Sequence, residues 1–430
     1  MSSFLKAVIT VLVVSLHLPA QDIRSTDPKQ RVKAARELGK QASPSAVEQL
    51  TPLLSDPEAN VRAEAVKAIV QVGTAGSLDP LIQALKDNDP TVQMLATDGI
   101  VNYYLPGYVQ RGLRKIGSTL RTGLTGDDND QIVPIYTRVR EDVVIALGRV
   151  ASGGSSMESR ANAARAVGIL RGRAAIPDLI ASLKAKNSDV IYESLAALQK
   201  IRDNGVGPRI VFLVNDLDDR VQTTALETVG LLECKECAPD VRKAFNRARN
   251  VKIKRSALAA LAMIPVEENR EVYLKYFNDK DDSLRASAAE GLGRLKNPAD
   301  LPMIQKAFDE ESKMNARLAQ AFAIVDLGKL DMAEFGSERY LLNTLNSAKY
   351  KNIAQAYLIE LARSQAVRES LYPALTPSAT KDEKIGLAHV FAASGDRASV
   401  DHLQPLSKDS DNEIASEVLR ALRILKTRVE

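Results

Sequence analysis

The sequence predicts an all-α fold, a right-handed α-solenoid of about twelve helical hairpins interrupted by one insertion. Three observations carry this. A period of 31 residues runs along the chain, apolar residues recur at helical spacing inside each period, and large rings are scarce. Hydrophobic residues make up 45% of the sequence but aromatics only 4%, with no Trp. One thick core would be filled partly by rings, whereas Ala, Leu, Val and Ile suit many thin layers of close helices.

The period is read from the segment VRAEAVKAIVQVG at 61–73. Matching segments begin at Gln30, Val61, Val92, Ser159, Val190, Val221, Ile253, Leu284 and Asn315, with steps of 31, 31, 67, 31, 31, 32, 31 and 31 residues. Four positions on stand Ala34, Ala65, Ala96, Ala163, Ser194, Ala225, Ala257, Ala288 and Ala319. Eight positions on stand Leu38, Ile69, Ile100, Val167, Leu198, Val229, Leu261, Leu292 and Ala323. Positions 0, +4 and +8 share one helical face, so each unit opens with a helix whose buried stripe holds a small residue.

A second apolar helix follows each first one, as in 78–87, 176–185 and 301–310. Pro80, Pro177, Pro239 and Pro302 fall in the first turns of such helices, where a missing N–H costs least. Acidic breaks separate the units: Asp56-Pro57, Asp89-Pro90, Asp216 to Asp219, Asp279 to Asp282 and Asp409 to Asp411. Aspartate suits the N-cap of the next helix, and these are read as caps.

The pattern V-R-x-x-A-x-x-A-[LI], almost complete at Val61–Ile69 and varied at Ser159–Val167 and Leu284–Leu292, resembles the HEAT repeat, in the shorter form of the PBS-lyase HEAT-like group. The resemblance, to an exported bacterial type, covers residues 26–430. Repeats at 337–430 are looser, as expected of terminal units. The resemblance implies an α-solenoid and leaves function open, because such arrays serve many roles.

Residues 1–20 have the layout of a secretory signal peptide: Lys6, an apolar stretch from Ala7 to Leu18, then Pro19-Ala20. The stretch is shorter than the roughly 20 residues that span a bilayer. The expectation is cleavage after Ala20 and export to the periplasm or cell exterior, with no transmembrane span in the mature chain. Leu18 departs from the small-residue rule, which leaves an uncleaved anchor as the alternative.

The 67-residue step marks an insertion at 105–136, with the helix at 138–150 completing the interrupted hairpin. Tyr103, Tyr104 and Tyr108 stand at its entrance, and Arg111, Arg114, Lys115 and Arg121 follow without an intervening acid. One reading is a partner-binding lobe, with tyrosines giving contact area and cations meeting an anionic group. The other is a surface loop whose tyrosines cover the adjoining helix ends.

Two further features stand out. Arg242, Lys243, Arg247, Arg249, Lys252, Lys254 and Arg255 crowd together with no acid between Asp240 and Glu267. They form either an anion-binding patch or a solvated turn balanced by acidic breaks nearby. Cys234 and Cys237 are the only cysteines. A zinc site needs about four ligands, haem attachment needs a His where Ala238 stands, and a thioredoxin-type site needs a βαβ context. A local disulfide, two free thiols, or a minor redox or metal role remain open.

The net charge of +4, from 58 basic and 54 acidic residues, is too balanced to mark a nucleic-acid binder. Enzymes on the resembling scaffold are checked by their residues. There is no His-Glu dipeptide of the deoxyhypusine hydroxylase kind, no Trp as in the HEAT-like DNA glycosylases, and no mark of a phycobilin pocket. His389 and His402 stand alone in helical segments. The reading is a non-catalytic interaction scaffold without catalytic residues, metal or cofactor, binding a protein partner, with an anionic surface or glycan as a further ligand. The alternative is an exported lyase-like or other enzyme using the insertion as a substrate lid.

Overall fold

The computed structural model describes residues 23–108 and 131–429, and all regular structure among them is helical. The leader read at 1–20, and Arg111, Arg114, Lys115 and Arg121, lie outside the described residues. Twelve long helices alternate with eleven mostly shorter ones among the described residues. In order they are α1 (Pro28–Lys40), α2 (Pro44–Leu50), α3 (Ala59–Val72), α4 (Leu78–Ala84), α5 (Pro90–Tyr104), α6 (Glu141–Gly153), α7 (Met157–Ile169) and α8 (Ile176–Ser182). There follow α9 (Ser188–Ile201), α10 (Gly207–Ile210), α11 (Asp219–Leu231), α12 (Ala238–Arg247), α13 (Val251–Ala262), α14 (Arg270–Tyr276), α15 (Asp282–Arg294) and α16 (Leu301–Glu310). The last are α17 (Met314–Asp326), α18 (Ser337–Thr344), α19 (Lys351–Leu361), α20 (Gln365–Leu371), α21 (Lys381–Ser394), α22 (Arg397–Leu403) and α23 (Asn412–Val429). The fold is an α-solenoid, and its odd-numbered helices carry the period.

The chain divides into two compact units, Met1–Gln131 with Val139–Asp178, and Ile132–Arg138 with Leu179–Glu430. In the first, α1 packs on α3, α3 on α5 and α5 on α7. The insertion therefore leaves the stack of long helices unbroken. Ala34, Ala65, Ala96 and Ala163 are buried where these helices meet, as are Leu38, Ile69, Ile100 and Val167. In the second unit the long helices from α9 to α23 each pack on the next. Ser194, the one break in the alanine column, is satisfied: its hydroxyl donates to the Val190 carbonyl at 2.7 Å and pairs with the Ser182 hydroxyl at 2.6 Å.

Arg31, Arg62 and Arg285, each one place after its unit's first position, tie turns together. Arg62 donates from Nε and Nη2 to Asp87 at 2.6 and 2.9 Å, and from Nη1 to the Asp56 and Pro57 carbonyls at 2.9 and 3.2 Å. Arg31 repeats this with Asp56 at 2.6 and 2.8 Å and with the Ser25 and Thr26 carbonyls. In the second unit Arg285 does the same with Glu311 at 2.8 and 3.0 Å and with the Asp279 and Lys280 carbonyls. Each bidentate pair spans two successive turns, and the free end of the guanidinium satisfies backbone oxygens that lie outside any helix.

Two sequence expectations need correction. Helices α4 and α8 stop at Ala84 and Ser182, short of the expected 87 and 185. The tails tighten instead: Lys86 and Asp87 donate to carbonyls three residues back, as do Lys184 and Ala185. The acidic breaks also divide their labour. Asp89, Asp218 and Asp281 cap α5, α11 and α15 as expected. Asp56 caps no helix, because Arg31 claims it, and α3 begins after Glu58 with no side-chain cap.

Candidate functional site

At the insertion, Tyr103 and Tyr104 form the last turn of α5 and pack edge to face with centroids 5.0 Å apart. The Arg140 amide, at the start of α6, donates to the Tyr104 hydroxyl at 3.2 Å. Burial raises the Tyr104 hydroxyl above its ordinary pKa, so it stays a neutral acceptor. Arg140 itself is held by Asp142 and Asp79, each at 2.6 Å. Departing and returning strands are thus stapled at the stem. Tyr103, Tyr104 and Tyr108 are all partly buried there. The returning residues 132–138 belong to the second unit, where the Arg423 guanidinium lies 4.8 Å from the Tyr136 ring centroid.

The basic stretch separates into two groups. Arg255 makes a bidentate pair with Asp281, Arg242 donates to the Glu268 carbonyl at 3.3 Å, and Lys254 sits over the Phe245 and Tyr276 rings at 5.4 and 4.9 Å. These three are internal fastenings. Lys243, Arg247, Arg249 and Lys252 are exposed, and no hydrogen bond or ion pair engages their charged groups among the described residues. Burial raises the Glu227 carboxyl, and Lys252 opposes that through space.

Arg247 and Arg249 border a notch of about 270 Å³, also lined by Asn215, Asp219, Gln222 and Asn250. Asn250 caps α13 by accepting from the Lys252 amide at 2.9 Å, while its Nδ2 donates to Asp219 at 2.8 Å. Gln222 donates to the Val214 carbonyl at 2.8 Å. The equivalent notch in the first unit is lined by Asp56, Arg62 and Asp87, whose charges are already paired.

Cys234 and Cys237, in the turn between α11 and α12, are joined by a disulfide with 5.3 Å between Cα atoms, and both are buried. His389 lies 3.2 Å from Glu417, and His402 stacks on Tyr372 with ring centroids 3.8 Å apart. Among the described residues no group of His, Cys, Asp and Glu has the makings of a metal site.

One polar cluster escapes sequence reasoning. Arg294 of α15 makes a bidentate pair with Glu360 of α19 at 2.8 and 2.9 Å and a further bond to Glu290 at 2.8 Å, with the Phe322 ring beneath it at 4.8 Å. The Tyr357 hydroxyl donates to Glu290 at 2.6 Å. Arg294 and Glu360 stand 66 residues apart, so no local motif announces them. The guanidinium spends its donors on partners within the chain, which makes the cluster a fastening of three long helices.

A family profile described as HEAT repeats matches residues 20–100 and 238–324, and one described as PBS lyase HEAT-like repeat matches 159–185. No curated protein matches in sequence. Solved structures do. An Escherichia coli protein, YibA, is 14% identical with a TM-score of 0.39, over 69% of this chain and 96% of its own. A chain from work on a phosphorylation switch in the interaction between cadherin and beta-catenin is 13% identical with a TM-score of 0.41, over 95% of this chain and 98% of its own. A Kap121p mutant is 13% identical with a TM-score of 0.41, over 93% of this chain and 48% of its own.

Proposed function

The chain is a HEAT-repeat protein, and from that premise we propose that it is an exported, non-catalytic scaffold that binds a partner protein along its repeat edge. The observation that carries this reading is the set of four exposed cations, Lys243, Arg247, Arg249 and Lys252, left without partners among the described residues beside three others spent on internal contacts. Four such cations within ten positions form a concentrated charge available to something outside the chain. The insertion at 105–136 is a second contact, with its stem tyrosines holding it in place rather than serving as the contact surface.

Export is supported by the layout of residues 1–20 and by the Cys234–Cys237 disulfide, since disulfides persist mainly in oxidising compartments. No helix among the described residues is long and apolar enough to cross a membrane. The test is crosslinked capture from the native compartment. Three baits are compared: the intact protein, one lacking 107–134, and one with Lys243→Gln, Arg247→Gln, Arg249→Gln and Lys252→Gln. The same partner should be recovered with the intact bait and depleted with the fourfold variant. Equal recovery with all three would remove the reading.

A further inference from the structure

We infer that the notch at Gln222 and Arg247 is an open rung of the arginine–carboxylate ladder, and that an acidic, apolar segment of a partner protein closes it. This rests on the scaffold reading and gives its basic edge a ligand. In closed rungs the two members stand 25 residues apart, as in Arg31 with Asp56 and Arg62 with Asp87, or 26 in Arg285 with Glu311. At the notch these two places fall on Gln222 and, 26 residues on, Ala248. Both partners have changed character. Gln222 anchors a different carbonyl, that of Val214 eight residues back rather than those five and six back that the arginines hold, and it has no charge to offer an acid. The carboxylate's place, two residues before the cap of the next helix, is held by the uncharged Ala248, with Arg247 and Arg249 on either side of it.

The rung therefore cannot close from within. The one acid that lines the notch, Asp219, is engaged by Asn250. Lys243 lies four residues before Arg247 on α12, one turn away on the same face, and Lys252 opens α13. The positive charge is thus drawn out along two helices and their turn. That spread suits a row of carboxylates better than one compact anion.

The rim points to a protein rather than a glycan or lipid headgroup. Pro57 and Pro90 line the closed notch of the first unit. Their places at the open rung are taken by Leu217 and Val251, which are 100% and 52% exposed. Leu217 is an apolar side chain standing wholly in solvent between Asp216 and Asp218. Exposed apolar residues next in sequence to a basic notch match a segment that alternates carboxylates with apolar side chains.

The experiment is fluorescence anisotropy on the full chain with a labelled peptide of repeating Glu-Leu-Glu at about 50 mM salt, where exposed charges act over longer range. Gln222→Arg with Ala248→Asp closes the rung internally. It should weaken binding about tenfold or more while leaving the melting temperature unchanged or higher. Arg247→Ala, at an exposed site, gives the same direction should the double variant fold poorly, and Leu217→Ser should weaken binding severalfold. Unchanged affinity in both the rung-closing variant and Arg247→Ala overturns the inference. So does binding of a heparin oligosaccharide or phosphatidylglycerol vesicles in place of the peptide. The two proposals fail separately: a peptide that does not bind beside a partner still captured removes the open rung and leaves the scaffold, whereas peptide binding with no captured partner removes the scaffold.

Discussion

Arg62 illustrates what one side chain contributes when it joins two turns. Its side chain is 12% exposed and that of Asp87 7%, so the pair is shielded while both groups keep full hydrogen bonding. Arg62→Ala removes a charged pair and two carbonyl contacts, and a loss of about 1–3 kcal/mol is expected by denaturant unfolding. Arg36, paired with Glu64 but 60% exposed, should matter little when replaced by Ala. Acid acts through the same rungs. Burial works to raise the Asp87 carboxyl, but the Arg62 hydrogen bond and the Asp89 amide outweigh it and hold it below the usual range. Its stabilisation is therefore full above the unfolded-state value near 3.8 and is lost as pH falls through the lower folded value. Glu338 works in the opposite sense. Burial raises its carboxyl, only Ser370 bonds it, and its second oxygen has no partner among the described residues. Wild-type stability should fall as pH rises through that raised value. Glu338→Gln should flatten this decline in melting temperatures taken between acid and neutral pH.

Between helices, contact distance decides more than propensity. A Cβ on Gly293 would lie 2.7 Å from the Ala323 Cα, so α15 and α17 approach backbone to backbone there. Gly293→Ala gains about 1 kcal/mol in helix propensity yet should destabilise on balance, since overpacking costs about 1–3 kcal/mol. Gly153, at the end of α6, has nothing within 4 Å of such an atom. Gly153→Ala should be neutral or mildly stabilising in the same denaturant assay. The alanine column at this scale was legible because close helix approach demands a small residue at a fixed place in every unit. The ends of α4 and α8 were not, since a final turn can stay α or tighten without changing its apolar residues. Asp56 was misread for a related reason: an aspartate before a helix suits a cap and an arginine equally, and only the neighbouring turn decides between them.

For the whole chain, the helical hairpins were readable from the period alone, while the binding surface was readable only as a list of candidates. A tyrosine beside a loop serves packing and recognition with the same ring, and Tyr104 shows its use only through the Arg140 amide. The seven basic residues likewise split into fastened and free ones according to Asp281, Glu268 and Tyr276, which stand 22 to 26 residues further along the chain. The staple at Tyr104 and Arg140 has a consequence for tolerance. With departing and returning chain held together by the scaffold, a flexible bridge placed between them would cost closing entropy that grows only slowly with its length. The third hairpin is therefore a port: segments of different size and chemistry can be exchanged there without disturbing the stack of α5 on α7. Replacing residues 109–130 with a short Gly-Ser bridge should shift unfolding by less than about 1 kcal/mol. By the same logic, a foreign domain spliced at this place should leave the repeats folded on either side.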